Sequence, residues 1–282
     1  MKRVIISALV ILATMSLNAQ NKNEFSLSGF GGLSGLKYDL TVGSPKTGFG
    51  GGFGLGYQLL FSPEWGIVTG VEFALYNAKC DVDGIDLRYM TKDMENSSFE
   101  FRSKVGNFEE SQKASLLQIP VMLQFQKGEH HQFFAALGGK VGIPIAAKYK
   151  TSTLSLQNSG YYAFEEYTYT TQRFMGFGAI NVPAADDKFK VKTAFFLSAE
   201  IGGKMVLSEK VYLYVGLYLD YGLNNILDAP SQLPPFIEYN SQSPKDFKSN
   251  SIFTSQNTKA FTEKINPMAV GIRMRLALGK PN

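Results

Sequence analysis

From Trp65 the chain sorts its side chains by parity. Trp65, Ile67, Val71, Phe73 and Leu75 alternate with Val68, Gly70, Glu72, Ala74 and Tyr76. A two-residue period is the mark of a strand whose two faces meet different surroundings. The pattern returns with Leu117, Ile119, Val121, Leu123 and Phe125 against Gln118, Pro120, Met122 and Gln124, and again with Val211, Leu213, Val215, Leu217 and Leu219 against Tyr212, Tyr214, Gly216, Tyr218 and Asp220. Phe49 to Leu59, Phe133 to Ile143, Phe195 to Met205 and Met268 to Leu278 follow the same rule, and a weaker strand over Phe25 to Leu33 brings the number to eight.

The connections alternate in length. Tight turns at Ser62-Pro63-Glu64, Gly128 to His131 and Ser208-Glu209-Lys210 are interleaved with long segments at Lys37 to Lys46, Cys80 to Ala114, Ala147 to Lys192 and Asn225 to Glu263. An even set of strands with short turns at one end and long loops at the other predicts an all-β, eight-stranded antiparallel up-and-down transmembrane β-barrel with long extracellular loops. Both termini then lie on the periplasmic side. A soluble eight-stranded barrel of lipocalin type would reverse the faces. The parity that carries the charges is too rich in Gly, Ala and Ser, and too poor in Lys and Glu, for a solvated exterior, whereas the long Leu and Phe rows suit lipid. Phe61 and Trp65 flank the first tight turn, and Phe125 and Phe133 the second, as an interfacial aromatic girdle would.

Residues 1–19 stand apart. Met1-Lys2-Arg3 is a basic start, Val4 to Leu17 is a mostly apolar core too short for a membrane helix, and Ala19 suits the residue before a cut. We expect a cleaved secretory signal, with Gln20 as the mature start and residues 20–282 as the barrel. No Cys directly follows the expected cut, so a lipoprotein anchor is not expected. Loss of Lys2 and Arg3 leaves the exported chain nearly neutral, since the whole carries 28 Lys+Arg and 24 Asp+Glu. Neither a nucleic-acid partner nor a disordered acidic tail is expected from that balance. The single Cys excludes an internal disulfide framework and a Cys-based structural zinc site. The abundance of Gly (28), Phe (22) and Tyr (14) fits a β-rich chain with close backbone approaches.

The segments LQIPVMLQF (117–125), FFAALGGKVGIPI (133–145), AFFLSAEIGGKM (194–205) and YLYVGLYLDYGLNNI (212–226) resemble the outer-membrane β-barrel domain proteins of Bacteroidetes, the PorT-like group. The resemblance implies a small integral outer-membrane barrel and carries no catalytic residue across. The chain ends three residues after Gly279, so the peptidoglycan-binding domain that follows the barrel in OmpA-type proteins is not expected.

Little in the sequence invites chemistry. His130 and His131 are adjacent in a turn and tend to point apart, so a shared metal would need ligands that the sequence does not identify. The Gly runs at 29–35 and 48–56 sit in strand patterns with no helix following and read as strand glycines, not as a dinucleotide cradle. Cys80 is lone, at a strand end, with no role assigned. No catalytic residue, cofactor or metal is expected, and an enzyme is disfavoured.

The charges on the lumen parity are the sharper signal: Glu72, Lys140, Glu200, Lys204, Asp220, Arg273 and Arg275. Counted from the tight turns or the chain end, five of them fall at one depth in the outer half, with Lys204 and Arg275 below. Asp220 is the expected partner of Arg273. Side chains fill the interior of an eight-stranded barrel, which predicts an ion-paired plug. The functional expectation is a structural or interaction role through the extracellular loops, with outer-membrane lipid around the wall and a protein or other surface ligand at the loops. The segment Tyr161 to Tyr169 is a candidate contact surface or a strand extension. A narrow channel is the second reading and a lipid-acting enzyme the third.

Overall fold

The computed structural model describes residues 22–41, 43–82, 84–129 and 131–279. The expected signal segment, the start at Gln20 and His130 lie outside the described residues. Eight long strands build the wall: β1 (Lys22–Lys37), β2 (Phe49–Leu60), β3 (Trp65–Val82), β4 (Phe108–Lys127), β5 (His131–Thr151), β6 (Ala194–Ser208), β7 (Val211–Gly222) and β8 (Asn266–Gly279). Each pairs antiparallel with its neighbours in sequence, and β8 returns to β1, with Glu24 opposite Gly279 and Lys37 opposite Asn266. The sheet closes, so the wall has no free edge, the condition for strands to stand in lipid. Among the described residues no helix is long and apolar enough to cross a membrane; strands make the crossing.

The apolar parity faces outward. Phe25, Phe53, Leu55, Leu137, Leu217 and Ile272 are all more than half exposed. Above this belt the outward positions turn polar within one residue pair: Leu75 gives way to Asn77, Lys79 and Asp81 on β3, and Leu117 to Ser115, Lys113 and Ser111 on β4. The inward parity is small where bulky groups must fit. A methyl on Gly54 would lie 2.8 Å from Cγ of Glu72, and one on Gly52 would lie 2.7 Å from the Phe30 ring. Glycines on β2 therefore leave the lumen to side chains from β1 and β3. At the first tight turn the Ser62 hydroxyl accepts the Trp65 N–H at 2.9 Å. Gly128 takes φ 131° at the second, a conformation that favours glycine.

The strands run longer than the belt requires. β4 and β5 have 20 and 21 residues, against about 10 for a tilted membrane strand, and their upper halves stand clear of the lipid. The segments expected as loops fold there into a second body. A hairpin of Ile85–Lys92 and Ser98–Val105 is joined by Leu154–Tyr162, whose other edge takes Tyr167–Tyr169 and Gly178–Val182. The 223–265 connection packs against this sheet and supplies Phe236, Ile237, Ile252, Phe253, Phe261 and Ile265 to a core shared with Phe99, Phe101, Phe108 and Phe177. Tyr76, Leu116, Phe196 and Tyr218 at the top of the lumen belong to the same apolar cluster. The outer mouth is thus filled by a hydrophobic core. The segment 161–169 is part strand extension, with Tyr162 buried, and part exposed tip, with Phe164 and Tyr167 outside.

Candidate functional site

All seven lumen residues singled out in the sequence are buried inside the barrel. Six join one chain. Lys140 Nζ lies 3.0 Å from Asp220 Oδ2 and 2.9 Å from Glu72 Oε2. Glu72 receives both terminal nitrogens of Arg273, one of them at 3.1 Å. Arg273 Nε lies 3.7 Å from Glu200, and Arg275 reaches Glu200 at 3.5 Å and donates to Gln124 Oε1 at 3.0 Å. Aromatic faces complete the setting. The Arg273 guanidinium stands 4.4 Å from the Phe30 ring centre, and that of Arg275 stands 4.3 Å from the Tyr214 ring, both within cation–π range.

The seventh residue, Lys204, sits apart. It pairs at 2.7 Å with Glu24, which also accepts the Tyr214 hydroxyl at 2.6 Å. Glu24 lies one residue before the expected first strand, so the parity reading stopped short of it. It shares parity with Ser26 and Ser28, and extending the strand would have found it. With Glu24, the lumen ion pairs among the described residues take in four acids and four bases.

The expected pairing of Asp220 with Arg273 is corrected. Asp220 stands opposite Ala269 and Arg273 opposite Gly216, an offset of four residues, or roughly 13 Å along the strands. The expectation counted height from the chain end at Asn282, whereas β8 ends at Gly279, so Arg273 sits lower than Asp220. Lys140 takes the place beside Asp220 instead.

The four aromatics at the tight turns lie on the outer surface or near it. Trp65 and Phe125 face each other in register with ring centres 5.0 Å apart, and Phe61 and Phe133 are about half exposed. His131 is exposed at the start of β5. Among the described residues no group of three or more His, Cys, Asp or Glu could hold a metal ion.

A second polar cluster, missed from sequence, lies where barrel and outer body meet. Glu110 on β4 is fully buried and accepts the Ser251 hydroxyl at 2.6 Å, the Ile252 N–H at 3.1 Å and the Gln112 side-chain amide at 2.9 Å. Gln112 also contacts Cys80 at 3.7 Å and accepts from Tyr38 at 3.3 Å. The carboxylate therefore fastens the 223–265 segment to the wall. Its outward neighbours Glu109 and Ser111 are polar, so it stands above the lipid belt. Burial pushes its pKa up to about 7, against hydrogen bonds that lower it. The folded state thus holds this proton more tightly than the unfolded chain. Stability from this group is complete below pH ~4.5 and is lost as pH rises through ~7, a change on the order of 3 kcal/mol. Chemical denaturation of the purified protein between pH 4.5 and 8 measures the decline. Glu110→Gln, which keeps an acceptor without a titration, is expected to flatten it; an unchanged slope in that variant would locate the dependence elsewhere.

At the outermost tip Phe164, Phe174 and Met94 are each more than 60% exposed. They rim a cleft of about 620 Å³ that also takes in Asp93, Glu95 and Glu165. The tip is braced: Asp93 accepts the backbone N–H groups of Glu95 and Ser97 and the Tyr162 hydroxyl, all within 3.0 Å.

OprG from Pseudomonas aeruginosa is 12% identical and covers 93% of this chain and 95% of its own, with a TM-score of 0.33. Ail of Yersinia pestis, in complex with the heparin analogue sucrose octasulfate, is 10% identical over 92% and 99% of the two chains at a TM-score of 0.30. The translocator domain of autotransporter NalP from Neisseria meningitidis is 8% identical over 99% and 96% at 0.25. A search of the curated proteins finds no match. The family described as Outer membrane protein beta-barrel domain matches residues 18–228, three quarters of the length, and a β-barrel is the fold that this description names: the chain belongs to that family of Gram-negative outer-membrane proteins.

Proposed function

We propose that the protein is a non-enzymatic binding protein of the outer membrane, of the PorT-like group of Bacteroidetes, exported by a cleaved signal with Gln20 as its mature start. Its long loops form a rigid head that presents a contact surface to the cell exterior. The observation that carries this reading is the tip: Phe164, Phe174 and Met94 stay exposed beside a braced cleft, although the head buries a large aromatic core a few residues away. A cluster of exposed apolar side chains on an otherwise packed body marks an interaction site. Asp93, Glu95 and Glu165 add negative charge, which favours a partner that offers apolar groups together with cations. In this reading the lumen is a plug, held by the neutral ion-pair network below and by the apolar core above.

A photo-crosslinking residue placed at Phe174 in native outer membranes should trap a discrete partner, and Phe164→Ser should abolish the product. The same probe at Lys104, on the side of the head sheet, should trap none. Equal products at both positions would overturn the reading. The purified protein in planar bilayers is expected to pass no current; steady conductance would favour the narrow channel.

A further inference from the structure

Three neighbouring strands bring like charges together at one height. Lys113 on β4 stands directly opposite Lys148 on β5, and Lys148 stands directly opposite Lys188 on the short strand Asp186–Lys188. All three are exposed. Directly opposed residues of an antiparallel pair project from the same face, and like charges so placed destabilise the sheet. One step higher the row continues with Lys46 opposite Lys79 and with Lys150 opposite Asp186. Asp81 pairs with Lys46, Asp187 pairs with Lys248, and Glu109 lies a further step up. Among the described residues neither Lys113 nor Lys148 has a carboxylate within ion-pair distance. Six lysines therefore face outward against the carboxylates Asp81, Glu109 and Asp186.

The position of the lower row is the second observation. Below Lys113 the outward face of β4 continues through Ser115 to Leu117 and Ile119, and below Lys148 that of β5 continues to Ile145 and Ile143. The cations stand at the upper rim of the lipid belt, where head groups of the outer leaflet lie, and acyl chains would run down the apolar rows beneath. With strands about 4.8 Å apart, the three ammonium groups span roughly 10 Å, a reach that suits phosphate oxygens, each a strong acceptor for Lys.

We propose that Lys113, Lys148 and Lys188 form a binding site for the phosphate groups of a phosphorylated acyl-glycolipid of the outer leaflet. The bound anion offsets the repulsion that the sheet would otherwise carry. The site depends on the outer-membrane placement alone and not on any partner of the head.

The test uses the full exported chain in non-ionic detergent, with thermal unfolding as the readout and bisphosphorylated lipid A as the probe. Lipid A should raise the wild-type midpoint, and dephosphorylated lipid A should not. The triple variant Lys113→Gln, Lys148→Gln, Lys188→Gln should lose about tenfold or more in lipid A affinity, yet unfold no lower than wild type without lipid, because repulsion has been removed. A control pair in the head, Lys92→Gln with Lys104→Gln, should respond like wild type. An equal response of wild type and triple variant would overturn the site. A full shift with inorganic pyrophosphate at the same phosphate concentration would overturn the lipid as its occupant.

Discussion

Arg273→Ala is expected to destabilise the barrel by about 3–5 kcal/mol, because removing one partner of a buried ion pair leaves its counter-charge unpaired in a poor solvent for ions. Arg273 is the link between Glu72 and Glu200. Lys140 still serves Glu72 after its loss, and Arg275 still serves Glu200, which places the effect at the lower end of that range. The lipid-facing Val270→Ala should cost far less. Double-mutant cycles separate coupled from uncoupled pairs: Glu72 with Arg273 should show strong coupling, and Asp220 with Arg273 should be close to additive. The reverse result would return Arg273 to the partner inferred from strand counting. Conductance should not rise in Arg273→Ala, since the apolar core above the network fills the mouth independently.

Phe99→Ala should open the head without unfolding the wall. Phe99 is completely buried, with Tyr162 at 5.0 Å, Tyr239 at 5.2 Å and Phe177 at 5.7 Å between ring centres. Truncating such a residue costs about 3–5 kcal/mol through lost transfer energy and the cavity left behind. The barrel closes through its own hydrogen-bonded ladder, so the loss falls on the contacts between the 98–105, 154–162 and 223–265 segments. Protease added to intact cells should cut the 223–265 segment of the variant much faster than that of wild type. The wall should keep its folded migration in unheated detergent gels, and the 128–131 turn should stay protected in both. Simultaneous loss of wall and head would show that the two are one cooperative unit.

Strand number, outward and inward faces and the division into short turns and long connections were all legible in the chain. Parity is a local property: it needs only neighbours along one strand, and Glu72, Lys140, Asp220 and Arg273 declare their side of the wall without knowledge of any partner. The head was partly legible as well. Ser98-Phe99-Glu100-Phe101-Arg102 alternates like any wall strand, but long polar stretches on either side hide it within the 80–114 connection.

Pairing was decided only in the folded molecule. Which charge meets which depends on the relative register of strands, and in a closed barrel that register includes the seam between β8 and β1. Lys204 and Glu24 are 180 residues apart, and Arg273 meets Glu72 across the lumen, not Asp220 on the adjacent strand. The line of Lys113, Lys148 and Lys188 exists only because three strands align at one height, and Glu110 is buried only because a segment more than a hundred residues later folds over it. Face is set by a two-residue period within a strand, whereas depth and partner are set by hydrogen bonds between strands, which no single segment of the sequence contains.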